Sequence, residues 1–483
     1  MPDLREPLGA DGIAESLLGD GPWLQALVAA EVALSRALVT AGLAPEWMLG
    51  VADSLADTSA LDLDAIAAAG RAGGNPVIPL ANVLAARAEK LHAGASDHVH
   101  VGATSQDIID TATMVVAAAT LGAVLESLLA LADSLAALAE AHRHTPQAGR
   151  TLGQHASPTT FGFVVAGHLD AVCTVILSVT QARQKLPASL AGAVGTLGAL
   201  TDAAENRRPG HPASTSVELV VEAFAADLGL VAPVISWHSN RLPITELGSV
   251  LAAATGVVAT IALNVAELSR TEIGELSEGS AEGAGGSSAM PHKRNPVSSV
   301  LIISAGKQAP ALLSTLYGSL LAEDQRAVGG WHAEWQTLRE LERLAITSTA
   351  AAVGLLANLR VDERRMRENL DLTHGLLYSE RASAMLAGMI GKTEAFELVK
   401  SASRRVSASS PLAVVLDAQL GAAGQGSAVR DALHRVFDPD APVGQTGAAI
   451  DAVLTRHRSS VDQLRFAEHS LAQPRLAETK DSL

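Results

Sequence analysis

Two long apolar segments constrain the fold of this chain more than any other feature of its sequence. Residues 114–141 and 250–265 consist mainly of alanine, leucine, valine, glycine and threonine. Alanine and leucine favour helix, and the aromatic residues that favour strands make up only 3% of the chain. Because Glu126 and Asp133 interrupt the first segment and Asn264 the second, buried bundle helices explain both better than membrane spans do. The sequence therefore predicts an all-α protein.

The chain is long enough for several domains. Its 483 residues exceed what one compact domain usually holds. Glycine and proline punctuate the beginning, long helix-periodic segments fill the middle, and the tail is more charged and more often interrupted. We therefore expect an N-terminal helical domain over residues 1–103, a central long-helix domain over 104–360 and a small C-terminal helical domain over 361–483.

Charge and cysteine content argue against several classes of function. The net charge of −16, with no basic stripe, argues against a nucleic-acid partner. The single cysteine, Cys173, excludes an intrachain disulfide framework and a cysteine-based zinc site. The histidine pairs at 98/100 and 142/144 lack a third ligand cluster, so we expect no metal. The N-terminus shows no export signal, so we expect a cytoplasmic protein with no membrane partner.

Three polar segments have the composition of helix starts. In the first, Thr104 is followed three residues later by Asp107, which resembles a capping box. In the second, Ser157 can cap a helix whose first residue is Pro158. In the third, Asn295 takes the capping place and a proline follows it. We therefore predict that a helix begins at each of these places.

A helix start binds carboxylates well, because it offers free backbone N–H groups and a partial positive charge. The three segments add uncharged donors and cations, namely Thr104, Ser105, Gln106, Arg150, Thr151, Gln154, Ser287, Ser288, Lys293, Arg294 and Asn295. Each segment alone would be an ordinary helix cap. If the three converge, they would bind a small polycarboxylate substrate.

Two glycine-rich stretches accompany these segments. Residues 192–198 lack the G-x-G-x-x-G spacing of a dinucleotide-binding loop, so we expect close backbone packing near the site instead. Residues 278–291 cannot be helical throughout. They predict a long loop, and such loops in compact proteins are often functional.

The residues from Gly286 to Pro296, Gly-Ser-Ser-Ala-Met-Pro-His-Lys-Arg-Asn-Pro, resemble the signature of the fumarase/aspartase superfamily. This superfamily contains argininosuccinate and adenylosuccinate lyases and the carboxymuconate cycloisomerases. The other two segments match its two other shared regions in the same order, and the resemblance covers residues 5–460 approximately. It implies a three-domain, mostly helical fold, a homotetramer built on the long central helices, and active sites shared between subunits. It implies no cofactor.

The resemblance also implies a mechanism. A serine of the signature loop, Ser287 by position, exchanges the proton on the carbon α to a carboxylate, and the nearby Lys293 helps to activate it. The family's carboxylate-binding positions correspond to Thr104, Ser105, Gln106, Thr151, Lys293 and Asn295. The candidates for holding a third carboxylate are Arg150, His155, Arg241 and Arg326.

The chain departs from several relatives at two linked positions. Fumarases, adenylosuccinate lyases and argininosuccinate lyases carry a histidine where this chain has Leu152, and fumarase pairs it with a glutamate where this chain has Val300. That pair protonates a poor leaving group. Opening a lactone needs no such help, because a carboxylate of low pKa leaves. The chain therefore resembles most the 3-carboxy-cis,cis-muconate cycloisomerases, although Ala322-Glu-Asp-Gln-Arg326 replaces the Gln-Glu-His-Glu-Arg expected there.

We therefore expect a cycloisomerase that interconverts 3-carboxy-cis,cis-muconate and 4-carboxymuconolactone in protocatechuate degradation. One alternative is another lyase of the superfamily, such as adenylosuccinate lyase, which Leu152 argues against. The other is a non-catalytic structural homologue. The intact Ser287, Lys293 and Asn295 argue against that second alternative.

Overall fold

A computed structural model describes residues 8, 12–279, 285–286, 290 and 292–471, with side chains described as far as residue 459. In chain order its helices are α1 Ile13–Leu18, α2 Asp20–Thr40, α3 Met48–Leu55, α4 Leu63–Gly73, α5 Val77–Leu91, α6 Ser105–Ala141, α7 Phe161–Gln184, α8 Gly198–Arg207, α9 Ala213–Asp227, α10 Leu242–Leu268, α11 Val297–Gly318, α12 Gly330–Ala357, α13 Glu363–Asp371, α14 Ser379–Ile390, α15 Lys392–Ser403, α16 Leu412–Ala422, α17 Ser427–Val436 and α18 Thr446–Leu471. The strands are β1 Pro146–Thr151, β2 Gln154–Thr160, β3 Leu276–Glu278 and β4 Leu359–Val361.

Helices dominate this architecture, which confirms the predicted all-α class. The strands form two small antiparallel pairs, β1 with β2 and β3 with β4. The chain divides into two compact units. One contains residues 1–128, 175–259 and 301–351, and the other contains residues 129–174, 260–300 and 352–483. The division into three domains stays a prediction.

Long apolar helices run through the middle of the chain, as the sequence predicts. By length and composition alone, five helical segments of the described chain could cross a membrane: 13–40, α6, α7, α10 and α11. In the most apolar 18-residue stretch of each helix, 50% of α6 is buried within the chain, compared with 39% of α10 and 22% of α11. The single chain therefore leaves much of the apolar surface of α10 and α11 uncovered.

The second polar segment forms a β-hairpin, so the helix start predicted there is wrong. Strands β1 and β2 meet at a two-residue turn in which Leu152 and Gly153 have φ angles of 52° and 78°. Two consecutive left-handed residues form the kind of turn whose twist matches that of a hairpin. The predicted cap, Ser157, and Pro158 both lie inside β2, and α7 begins only at Phe161.

Two local features allow this hairpin to form. The pairing register shifts between Ala148 and Arg150, where Gly149 lies so close to β2 that an added Cβ would stand 2.5 Å from the Ser157 carbonyl oxygen. Only glycine fits that approach. Pro158 lacks a backbone N–H, and a two-stranded ribbon tolerates it because each strand has a free edge.

The first polar segment does begin a helix, and Asp107 fixes that start. The side chain is fully buried, and its Oδ2 accepts from the Thr104 backbone N–H at 2.9 Å, which is one half of the predicted capping box. Other donors to the same carboxylate are the backbone N–H groups of Ala191 and Gly192 (2.9 Å each), Ser189 Oγ (3.3 Å) and His238 Nε2 (2.6 Å). We call this set of contacts the Asp107 network. It joins the start of α6 to two distant parts of the chain.

The glycine-rich stretch after residue 191 packs closely against this start, as expected. Gly192 has a φ of 78°, and an added Cβ would stand 3.1 Å from the Gly102 carbonyl oxygen. Gly102 itself packs against Leu200, because a Cβ added at residue 102 would lie only 2.9 Å from the Leu200 Cβ. Two backbones therefore meet where side chains cannot intervene.

One buried acid on α12 has no obvious counter-charge. Glu342 is 3% exposed, and its Oε1 has no hydrogen-bond partner within the part of the chain that the structure describes. Burial raises the pKa of Glu342 to about 8, although the neighbouring Thr120 hydroxyl and, to a smaller extent, the charge of Arg339 oppose the shift. The group is therefore held in its neutral, protonated form in the folded protein at neutral pH.

We predict that Asp107→Asn lowers the free energy of unfolding by about 3–5 kcal/mol, because an amide N–H₂ would replace an oxygen that faces N–H donors. Chemical denaturation followed by circular dichroism measures the change. The matched control is Asp53→Asn, which removes an ion pair between Asp53 and Arg36 in which Asp53 is 65% exposed. That variant should lose less than about 1 kcal/mol. Equal losses in the two variants would contradict the importance of the Asp107 network.

We predict that Glu342 makes stability depend on pH. In the unfolded chain this carboxyl group ionises near its ordinary pKa of about 4.3, whereas in the folded chain it stays protonated up to about pH 8. The folded state therefore binds the extra proton between these values, and stability is lost as the pH rises through that window. Glu342→Gln removes this dependence. The melting temperature of the variant minus that of the parent should grow from pH 5 to pH 8, and a constant difference would refute the prediction.

Candidate active site

The first polar segment forms a cluster with Arg326. The guanidinium Nη2 donates to Thr104 Oγ1 and the Nε donates to Gln106 Oε1, both at 2.9 Å. Gln106 is fully buried, and its amide nitrogen donates to the His238 carbonyl oxygen at 2.9 Å and to Asp110 Oδ2 at 3.2 Å. These bonds hold Arg326 in one orientation at the start of α6.

The same place has the electrostatics that suit an anion. The guanidinium of Arg326 is half-buried and lies 5.7 Å from the centre of the Trp331 ring. Ser105, the first residue of α6, is also half-buried beside Thr104. A fixed cation, hydroxyl groups and a helix N-terminus therefore occupy one short stretch of surface. The geometry can hold a carboxylate in a defined orientation.

Arg241, a candidate for holding a third carboxylate, does not offer a free guanidinium. It is 2% exposed and bonds to the Glu334 carboxylate at 2.7–3.1 Å and to the Asp110 carboxylate at 2.8 and 3.0 Å. Every nitrogen of the guanidinium takes part in these bonds. Arg241 therefore supports the segment that carries Gln106, and its contact with a third substrate carboxylate stays a prediction.

The second polar segment places its residues at and near the tip of the β1–β2 hairpin. Thr151 and Gln154 are register partners beside the turn, and both are exposed. Arg150 is instead paired with the fully buried Glu275, through Nη1 at 3.2 Å and through Nη2. Gln147 and Asn369 donate to the same carboxylate at 2.8 and 2.7 Å. Arg150 therefore anchors the hairpin, and Thr151 and Gln154 remain available for a ligand.

His155 lies next to this anchor. Its Nδ1 is buried and has no hydrogen-bond partner among the described residues. Burial lowers the pKa of His155, and the neighbouring charge of Arg150 lowers it further. The imidazole is therefore neutral at physiological pH and suits hydrogen bonding more than charge pairing.

The signature segment is described only in part. Ser287 and Ser288 lie outside the described residues, so their predicted roles are not tested. Lys293 is exposed and Asn295 is half-buried. The backbone N–H of Asn295 donates to the Gly285 carbonyl oxygen at 2.8 Å. That bond brings the end of the segment back beside Gly285.

Glu278 caps α11 in place of Asn295, which corrects the predicted cap. Its carboxylate accepts from the backbone N–H groups of Ser298 and Ser299 at 3.1 and 2.8 Å, and from the Ser299 hydroxyl at 2.6 Å. The helix itself begins at Val297. An anion therefore does bind at this helix start, as the sequence predicts, but it belongs to the protein itself.

The sequence analysis did not single out two acids, namely Glu278, which caps α11, and Glu275, which pairs with Arg150. Glu278 stands directly before the glycine-rich stretch, so its place in the sequence offers a weak signal for a cap. Glu275 lies 125 residues from Arg150, and nothing local in the sequence predicts that pairing. Both are positioning residues, because each acts through another group.

Neither position of the absent histidine–glutamate pair carries a proton donor. Leu152 is 103% exposed at the hairpin tip, and Val300 is 54% exposed on the first turn of α11. Aliphatic side chains cannot protonate a leaving group.

The predicted site residues thus form two groups in one chain. The cluster of Thr104, Ser105, Gln106 and Arg326 lies in the first compact unit, and the hairpin and signature residues lie in the second. Convergence of all three segments on one substrate stays a prediction.

Comparison with known proteins identifies the family. A family described as lyase matches residues 13–310. Nitrosuccinate lyase of Streptomyces davaonensis is 41% identical over 452 residues, which cover 93% of this chain and 94% of the relative. The 3-carboxy-cis,cis-muconate cycloisomerase of Pseudomonas aeruginosa is 38% identical over 446 residues, covering 92% and 94%.

A solved structure agrees with these relatives. The 3-carboxy-cis,cis-muconate lactonizing enzyme of Pseudomonas putida superposes with a TM-score of 0.83 at 33% identity, over 93% of this chain and 97% of that one. Both the sequence and the fold therefore point to one group of enzymes. The chain belongs to the lyase family of the fumarase/aspartase superfamily.

Proposed function

We propose that this lyase-type enzyme makes or breaks a bond β to a carboxylate in a small polycarboxylate, and that the group which leaves is a weak base. The proposal rests on two features that occur in the same chain. Thr104, Ser105, Gln106 and Arg326 form a cluster that suits an anion, which we call the anion-binding cluster, and positions 152 and 300 carry aliphatic residues. The first feature binds carboxylate. The second removes the usual means of protonating a poor leaving group.

The substrate we propose is 3-carboxy-cis,cis-muconate, converted reversibly to 4-carboxymuconolactone. In the lactonising direction a substrate carboxylate oxygen forms a C–O bond to one carbon of a double bond, and the adjacent carbon takes a proton from Ser287. In reverse, Ser287 removes that proton and the carboxylate leaves, with no need for an acid because its ordinary pKa is about 4. The cycloisomerase relative from Pseudomonas aeruginosa supports this substrate.

Nitrosuccinate is the second candidate, because the Streptomyces davaonensis relative is 41% identical over most of both chains. Asp324 stands where the cycloisomerase pattern has histidine, which counts against the first substrate without favouring a particular other one. Removal of the proton α to one carboxylate, followed by cleavage of the C–N bond on the adjacent carbon, would release nitrite and fumarate. Nitrite is also a weak base, so the leaving-group argument fits both substrates and excludes only amine or hydroxide departure.

Assembly and location follow from the family resemblance. We propose that the chain forms a homotetramer through its long central helices, with each active site shared between subunits. Such an assembly would cover the apolar surface that α10 and α11 leave open in a single chain. It would also let the two groups of site residues meet across subunits. We propose a cytoplasmic location and no cofactor, nucleic acid or membrane as partner.

We predict rapid loss of the ultraviolet absorbance of the conjugated diene when the protein meets 3-carboxy-cis,cis-muconate. Nitrosuccinate, followed by nitrite release, and adenylosuccinate, followed by fumarate release, are run in parallel. Ser287→Ala should abolish turnover while preserving the circular dichroism spectrum. Nitrite release without diene loss would replace the first substrate by the second. Turnover of adenylosuccinate would contradict the leaving-group argument itself.

We predict that Arg326→Gln lowers kcat/KM by about 10- to 100-fold, because it removes a charge-assisted contact to the substrate. Steady-state kinetics with whichever substrate turns over in the preceding assay measure the effect. Arg364→Gln is the matched control, because Arg364 is a surface residue that is 79% exposed. The control should retain full activity. A similarly small effect in both variants would remove Arg326 from the site.

A further inference from the structure

A cavity in the first compact unit lies apart from the cluster of Thr104, Ser105, Gln106 and Arg326. It lies between the N-terminal helices and the helices α6, α10 and α12, with a volume of about 200 Å³. Thr104, Gln106 and Arg326 are not among the residues that line it. The cavity is therefore separate from the anion-binding cluster.

Most of the cavity wall is apolar. Its hydrocarbon surface comes from several elements, including Leu17, Ile109, Val116, Ile244 and Leu338. Such a wall favours a hydrophobic body, and small-molecule sites generally combine apolar walls with a few polar groups. For scale, an engineered apolar cavity of about 150 Å³ accepts benzene. This cavity is large enough for one ring and a substituent.

Two polar groups in the wall lack hydrogen-bond partners in the described chain. Oε1 of Glu342 and the indole Nε1 of Trp335 are both buried and unpaired. Glu342 is 97% buried, given its 3% exposure. Leaving buried polar atoms unpaired costs about 1–3 kcal/mol each, so such atoms in a cavity wall indicate a polar ligand group.

The two unpaired groups also define the chemistry of that ligand group. The indole N–H can only donate, whereas Oε1 can accept a hydrogen bond. A hydroxyl group satisfies both, because it accepts from one and donates to the other. The buried acids in the wall other than Glu342, Asp110 and Glu334, already bind Arg241. The remaining charged residues of the wall, Asp20 and Arg339, are exposed, so water solvates their charges. The buried groups that a ligand must satisfy, on Trp335 and the protonated Glu342, are therefore uncharged, and a neutral ligand fits better than a charged one.

We propose that this cavity binds a neutral single-ring molecule with a hydroxyl group, that is, a phenol. The ring packs on the aliphatic wall, and the hydroxyl bridges Trp335 and Glu342. The site does not depend on the identity of the reaction, because no residue of the anion-binding cluster lines it.

Isothermal titration of the full-length protein with phenol at pH 7 tests the proposal, since phenol is neutral there. We expect saturable binding of one phenol per chain. Benzene fills the same space without the hydroxyl, and Trp335→Phe keeps a ring while removing the indole N–H. Trp335→Phe should weaken phenol binding about three- to tenfold, the usual effect of one neutral hydrogen bond. Benzene, which makes neither hydrogen bond, should bind about ten- to 100-fold more weakly than phenol. Trp47→Phe is the matched control, because Trp47 stacks on His92 away from the cavity wall.

A second variant fills the space itself. Val116→Phe should abolish phenol binding in a protein that keeps its circular dichroism spectrum. Absence of saturable phenol binding to the parent would overturn the proposal. Unchanged binding in Val116→Phe, or equal affinity for benzene and phenol, would overturn it as well. If Val116→Phe does not fold, the comparison of Trp335→Phe with Trp47→Phe decides.

Discussion

A buried carboxylate must collect enough hydrogen-bond donors to replace the water it has lost, and Asp107 does this by drawing three parts of the chain together. The contacts run to the start of α6, to the Ser189 hydroxyl and the backbone N–H groups of Ala191 and Gly192, and to His238. Gln106 precedes Asp107 directly, and its amide bonds the backbone of His238. Arg326 bonds to Gln106 and Thr104, so the Asp107 network supports the orientation of Arg326 indirectly.

The features that follow from local chemistry were predictable from the sequence. The spacing of Thr104 and Asp107 predicts a helix start, and the structure places α6 there. The second segment misled because Ser157 and Pro158 look like a cap, whereas the hairpin depends on Leu152 adopting a left-handed conformation that leucine seldom takes. Contacts across long stretches of chain, such as Glu275 with Arg150, leave no local pattern to find.

The same limit applies to function. A long signature identified the superfamily from a few residues, and the comparisons confirm it. The identity of the substrate does not follow from the same residues. Lactone opening and nitrite loss both release weak bases, so neither reaction needs a proton donor at Leu152 or Val300. Sequence reasoning from the leaving group narrows the chemistry to a class. It does not choose between the two substrates within that class, and Asp324 marks only a departure from the cycloisomerase pattern.

The cap that Glu278 forms on α11 has a consequence for how the start of that helix is anchored. Its contacts to Ser298 and Ser299 connect residues on the two sides of residues 280–296, and the Gly279 N–H donates to the Asn358 carbonyl oxygen. All of these contacts lie outside residues 280–296. The first turn of α11 is therefore held by an acid that precedes the signature, and a substitution within the signature leaves the contacts that hold the helix start in place.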